Sequence, residues 1–183
     1  GLDLNDVGYL QSADAIITGL WTAYRFDKPF SIFRQIRPNA NYWTGWDFGG
    51  THLFTGGNLS LYVQFKNLWW TNIGGNYEGN SISNSLLRGG PSMLHPSSVN
   101  GWFNLGTNSS RKVYATLWAN AARGGEDVSE RYSAGMDFTV KPGQSFTATV
   151  TPSLSRNRND IQYVTRTDDG GRYILSQINQ QIV

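Results

Sequence analysis

Between Arg131 and Ser155 the sequence runs through two arms that each alternate strictly between apolar and polar residues, and a period of two fits extended strands. Along the first arm Tyr132, Ala134, Met136, Phe138 and Val140 share one face, while Arg131, Ser133, Gly135, Asp137 and Thr139 share the other. Lys141-Pro142-Gly143 reverses the chain, since proline pre-sets the first turn dihedral and glycine accepts positive φ. The second arm returns with Phe146, Ala148, Val150, Pro152 and Leu154 opposite Ser145, Thr147, Thr149, Thr151 and Ser153. A hairpin with one oily face must cover that face, and the nature of the cover decides the fold.

The same pattern recurs along the chain. Leu59, Leu61, Val63 and Phe65 alternate with Ser60, Tyr62, Gln64 and Lys66, and Val113, Ala115, Leu117, Ala119 and Ala121 with Lys112, Tyr114, Thr116, Trp118 and Asn120. Further strands are expected at about 14–26, 30–44 (partly covered, or bulged near Pro38), 81–87, 99–105, 161–166 and from Arg172 onward. Ten strands in all, each beside its sequence neighbour, predict an up-and-down antiparallel meander over a single domain, 1–183, with 1–12 as a lead-in. Glycine-rich 45–58 and 72–80 read as a long loop and a turn. Short turns (27–29, 107–110, 141–143, 167–171) are expected at one end, with 72–80 among them, and longer connections (45–58, 86–98, 123–127) at the other. That asymmetry belongs to outer-membrane barrels.

Two classes of cover are possible: lipid or a second sheet. The oily positions include Ala115, Ala119, Ala121, Ala134 and Ala148, too small to fill the roughly 10 Å between packed sheets, whereas acyl chains tolerate small residues. The polar positions carry Lys66, Lys112, Arg131 and Asp137, as a watery lumen permits. The expected fold is therefore an all-β transmembrane barrel, porin-like, or the C-terminal portion of a larger one. Gln64, Lys66, Lys112, Tyr114, Arg131 and Asp137 would line the lumen, and Leu61, Val63, Val113, Leu117, Phe138 and Val150 would face lipid. Trp69 and Trp70 would sit at the membrane interface, where an apolar ring with one N–H is favoured; their alternative is a sandwich core. No apolar run reaches the length of a membrane-spanning helix, and the mean hydropathy of −0.40 fits a lumen-lined barrel as well as a soluble protein.

Charged residues make up 15%, against roughly 25% in ordinary soluble domains, and a net charge of +2 without a basic stripe argues against nucleic acid. There is no cysteine, hence no thiolate metal site or disulfide. His52 and His95, both expected in loops, have no partners at metal-ligand or catalytic spacing, and no Gly-x-Ser-x-Gly elbow occurs. Glu126-Asp127 and Asp168-Asp169 read as turn caps, and Arg88-Gly89-Gly90-Pro91 as a structural turn that could alternatively hold an anion. No catalytic residue, metal or cofactor is expected.

Leu87-Arg88-Gly89-Gly90-Pro91 with Trp102, the opening Asn5-Asp6-Val7-Gly8-Tyr9-Leu10, and Gln162-Tyr163-Val164 with Gly171-Arg172-Tyr173-Ile174 resemble a domain-of-unknown-function family of Gram-negative outer-membrane proteins. The resemblance implies a carbohydrate-binding-like N-terminal domain, a large C-terminal β-barrel and no established reaction. The first of these is absent here, and the last residues, Gln180-Gln181-Ile182-Val183, lack the terminal aromatic expected of such a barrel. With no leader pattern at Gly1, these features predict a mature chain or a piece of a longer one. The expectation is thus a non-enzymatic protein of the bacterial outer membrane, with the lipid bilayer as partner, passing or binding small solutes or glycans. The alternatives are a soluble β-sandwich binding glycans through Trp43, Trp46 and Trp102, and a barrel enzyme.

Overall fold

The computed structural model describes residues 15–83, 92–124, 130–143, 145–166 and 173–182, with side chains as far as Arg158. Among these residues there is no helix. The strands are β1 (Ile16–Ala23), β2 (Phe33–Trp46), β3 (His52–Phe65), β4 (Trp70–Glu78), β5 (Ser81–Ser83), β6 (Met93–His95), β7 (Ser98–Gly106), β8 (Val113–Gly124), β9 (Glu130–Val140), β10 (Ala148–Val150), β11 (Ser153–Arg166) and β12 (Tyr173–Ile182).

One antiparallel sheet takes them in the order β1-β2-β3-β4-β7-β8-β9-β11-β12, with β10 also on β9, and β5–β6 pair apart from it. β10 and β11 are one strand in physical terms. Phe138 faces Val150 and Gly135 faces Ser153, so the register continues unshifted across Thr151 and Pro152. Proline has no N–H to give the ladder, but its carbonyl still accepts from Met136 N–H at 3.1 Å. The path is a meander, as alternation predicts, and among the described residues it is open: β1 and β12 end it without pairing to each other.

Several local expectations are corrected. The stretch 45–58 is not a long loop: only 47–51 turns, and β3 starts at His52. Likewise 72–80 is mostly strand, since β4 runs Trp70–Glu78, and the reversal lies at 66–69. In both places glycines stand inside strands, and bulky rings from the neighbouring strand lie over Gly45, Gly56 and Gly74, as detailed below. The stretch 156–160, read as a connection, belongs to β11, and His52 and His95 lie in strands. β2 keeps its register through Pro38, opposite Leu61, and shifts instead at Phe33/Gln35 and Gly45/Trp46.

Counting reversals along the corrected meander puts 24–32, 66–69, 107–112 and 141–147 at one end. At the other are 47–51, 79–97 and the chain between β8 and β9 and between β11 and β12. The expected turn 167–171 lies outside the described residues, and among the connections between described strands of the sheet 79–97 is the longest. The Leu87–Pro91 and Asn5–Leu10 motifs, and the Glu126-Asp127 and Asp168-Asp169 pairs, lie outside the described residues.

Outside the register shifts, pairing assigns each strand residue to a face. Leu59, Ile73, Phe103, Leu117, Met136, Phe138, Val150 and Leu154 fall on one, and all are exposed. Among described residues only Leu53 and Val63 are buried hydrophobic side chains. The chain exposes 12784 Å², roughly 45% more than the ~8,800 Å² that size scaling gives for a closed globule of 20.4 kDa. The uncovered apolar face contributes to that excess.

Candidate functional site

The opposite face is polar and is organised in rows that run across the strands. Asn41, Asn58, Asn76 and Asn100 stand in register on β2, β3, β4 and β7. Asn41 Nδ2 donates to Asn58 Oδ1 at 2.6 Å, and Asn76 Nδ2 to Asn100 Oδ1 at 2.9 Å. The adjoining row on one side holds Asn39, Ser60, Gly74, Trp102, Asn120, Ser133 and Ser155. Beyond it Arg37, Tyr62, Asn72, Asn104, Trp118 and Gly135 form the next row, with the Arg37 guanidinium 5.8 Å above the Tyr62 ring.

Four tryptophans on this face follow a rule, from which Trp21 of β1, paired with Asn41 and exposed, stands apart. Trp43 is paired with Gly56, Trp102 with Gly74, Trp70 with Gly106 and Trp118 with Gly135, and Phe54 with Gly45 in the same way. A Cβ added at Gly56 would come within 2.6 Å of Trp43 Nε1, and one at Gly135 within 2.5 Å of Trp118 Cζ2. Each ring therefore lies back over the bare backbone of the next strand, the arrangement by which aromatics compensate strand glycines. The indole of Trp102 is fixed further, its Nε1–H donating to Asn72 Oδ1 at 2.6 Å.

Of the residues expected along a lumen, Gln64, Tyr114, Arg131 and Asp137 lie on this polar face. Arg131 Nε donates to Asn157 Oδ1 and Thr151 Oγ1 to Asp137 Oδ1. Lys66 and Lys112 are instead in turns at one end of the sheet, where Lys66 N–H donates to Ile32 O and Lys112 O accepts from Lys141 N–H. The six residues expected to face lipid, Leu61, Val63, Val113, Leu117, Phe138 and Val150, lie together on the other face. Val113 is 50% exposed, Leu117 45%, Phe138 41% and Val150 66%, but Val63 is only 7% exposed, enclosed where Ile36 and Thr71 flank it in register.

Trp69 is exposed and lines a hollow with Val113 and Phe138, whereas Trp70 belongs to the polar face over Gly106. The two neighbours thus lie on opposite sides, Trp69 in the reversal and Trp70 at the start of β4. Trp46 is paired with Ile16 on the apolar side, so Trp43, Trp46 and Trp102 do not share one surface.

Arg37 Nε, Asn39 Oδ1 and Asn76 Oδ1 are buried side-chain atoms of the polar face that no protein group satisfies. Left dry, each would cost about 1–3 kcal/mol, so the face is built to be wetted or to hold a polar molecule. Among described residues no three acidic or histidine side chains converge on a metal position. His52 Nε2 lies 3.2 Å from Thr44 Oγ1, with its ring 5.5 Å from that of Trp46, a pairing within the strand end.

The strand glycines under rings, and the asparagine rows, escaped sequence reading because both depend on which strands adjoin. One local signal was available: each ring and each glycine occupies the polar parity of its own strand.

A family model matches residues 1–183 in full. The chain belongs to the family described as Domain of unknown function (DUF5916). Among curated proteins and among solved structures, nothing matches.

Proposed function

We propose that this DUF5916 chain forms wall of a transmembrane β-barrel in a bacterial outer membrane, its apolar face against acyl chains and its asparagine–tryptophan face along a water-filled passage for small polar solutes. It carries out no covalent chemistry in this reading. One observation carries the proposal: an apolar face continuous from β1 to β11, exposed, on which the charged side chains that register assigns among the described residues, Arg123, Glu130, Arg156 and Arg158, stand at one end.

Dimensions support it. From Val113 to Arg123 on β8, a rise of about 3.3 Å per residue covers about 33 Å, which a tilt of about 40° projects to about 25 Å, the height of the apolar band in such barrels. Exposed aromatics border the band: Tyr42, Tyr77 and Tyr132 toward the charged end, Phe26, Phe30, Trp69 and Phe146 at the other. That is where amphipathic rings meet headgroups. The unsatisfied amides opposite call for water, which a lumen supplies.

The absence of cysteine makes the test direct. Single cysteines placed in the full polypeptide, reconstituted in liposomes, are treated with a membrane-impermeant maleimide. Positions 104, 116 and 137 are expected to react and positions 103, 117 and 138 to resist, with fluorophores at the latter quenched by brominated lipid. A protein monodisperse in plain buffer, with both sets equally reactive, would refute the membrane reading.

A further inference from the structure

On the apolar face, glycine and alanine hollow out the sheet between β4 and β11. A depression of about 740 Å³, within the range of ligand sites, has Gly101, Ala119, Ala121 and Ala134 as its floor and Phe103 and Leu154 on its walls, and Arg156 lines it. Register places Arg156 beside Tyr132, with Ala121 next in the row. In the adjoining row toward the end of the sheet, Arg158, Glu130 and Arg123 stand side by side on β11, β9 and β8. Arg156 and Arg123 thus bring guanidinium groups to this end of the apolar face. The hollow is apolar along its length and meets the Arg156 side chain where it ends.

We propose that this depression binds a phosphorylated, multiply acylated glycolipid, with an acyl chain over the alanine floor and a phosphate against Arg156 and Arg123. The inference rests on the membrane reading above. The chemistry fits at both ends. Small residues let a chain lie closer to the backbone than the neighbouring Phe103 and Leu154 allow, gaining dispersion contacts, and a guanidinium fork matches phosphate oxygens through two parallel N–H···O bonds.

Arginine also reaches the interface from a site just inside it, at little cost near the band's edge. The choice of a glycolipid over a phospholipid follows from the end involved. The longest connection, 79–97, lies at the arginine end, and long loops of outer-membrane barrels face the exterior, which sets the site in the outer leaflet.

The full polypeptide, folded in detergent, is titrated with a bis-phosphorylated acylated glycolipid, its dephosphorylated form and phosphatidylglycerol, and bound lipid is counted by native mass spectrometry. The bis-phosphorylated form is expected to bind at least tenfold more tightly than the other two. Arg123→Ser with Arg156→Ser should abolish that preference. Ala121→Phe should weaken all acylated ligands at least fivefold by filling the floor, while Arg131→Ser, on the other face, leaves binding unchanged.

Equal binding by the double-serine variant, or no preference among the three lipids, overturns the inference. Retention of the native heat-dependent electrophoretic shift shows that each variant is folded. The two readings fail separately: a chain that needs detergent but binds lipid without regard to Arg156 loses only the lipid site, while one monodisperse without detergent loses the membrane assignment as well.

Discussion

Gly56 beneath Trp43 offers the sharpest test of how the polar face is built. Changing Gly56 to alanine adds one methyl whose Cβ meets Trp43 Nε1 at 2.6 Å, Cε2 at 2.8 Å and Cζ2 at 2.9 Å, and nothing else is among its nearest atoms. Such contacts cannot persist, so the indole must swing off the strand, and overpacking of this kind costs about 1–3 kcal/mol. Against this stands the gain from removing a strand glycine, about 0.5–1 kcal/mol.

The net expectation is a loss of about 1–2 kcal/mol, a several-fold to thirtyfold shift in the folding equilibrium. Replacing Trp43 with leucine removes the obstacle, so Gly56→Ala in that background should be neutral or stabilising. The coupling energy of the double-mutant cycle is then about 1–3 kcal/mol. Denaturant titration of the full polypeptide in detergent micelles, followed by tryptophan fluorescence and electrophoretic mobility, measures all four corners. Gly19→Ala is the control, since its nearest new contact is Tyr42 O at 3.6 Å. If Gly56→Ala costs the same with and without Trp43, the ring does not need the bare backbone and the reasoning fails.

Other consequences follow from the same geometry. Arginine at Phe103, mid-band on the apolar face, should destabilise the lipid-inserted protein by about 2–4 kcal/mol, and arginine at Val99, near its charged end, by about 0–1 kcal/mol; equal costs in liposome refolding would contradict the depth assignment. In the β2–β3 turn, Asp47 Oδ1 accepts from Thr51 N–H at 2.7 Å, and amide hydrogen bonds from Thr51, Gly49 and Gly50 hold its carboxyl below the ordinary carboxylate value of 3.8. A depressed folded-state pKa means stability present above the ordinary value and lost as pH falls through and below it. Asp47→Asn should flatten that acid limb in denaturation curves between pH 6 and 2, and an unchanged limb would remove Asp47 from it. Gly50 in the same turn has φ +85, so Gly50→Ala is expected to cost about 1–2 kcal/mol in the same titration, against near neutrality for Gly143→Ala, which meets nothing.

The sequence by itself determined the alternation, and with it the division of residues between two faces. Leu61, Val113, Leu117, Phe138 and Val150 separate from Gln64, Tyr114, Arg131 and Asp137 because side chains on a strand point to opposite sides with period two, a property of each strand alone. The meander followed too, from short reversals such as 107–112 and 141–147. Local reading failed where composition spoke for turns, at Gly45, Gly56, Gly57, Gly74 and Gly75. Loop-like glycine content and strand geometry are reconciled only when Trp43, Phe54 and Trp102 arrive from adjacent strands to lie over three of those positions.

Tertiary structure alone decided the register, and so the row of Asn41, Asn58, Asn76 and Asn100, the orphaned amide oxygens beside it, and the opposite orientations of Trp69 and Trp70. It likewise brought Arg123, Arg156 and Arg158 to one end of an alanine-floored hollow. The reason is one of range: which face a side chain takes is settled by its neighbours two residues away, whereas what stands beside it is settled by strands tens of residues distant.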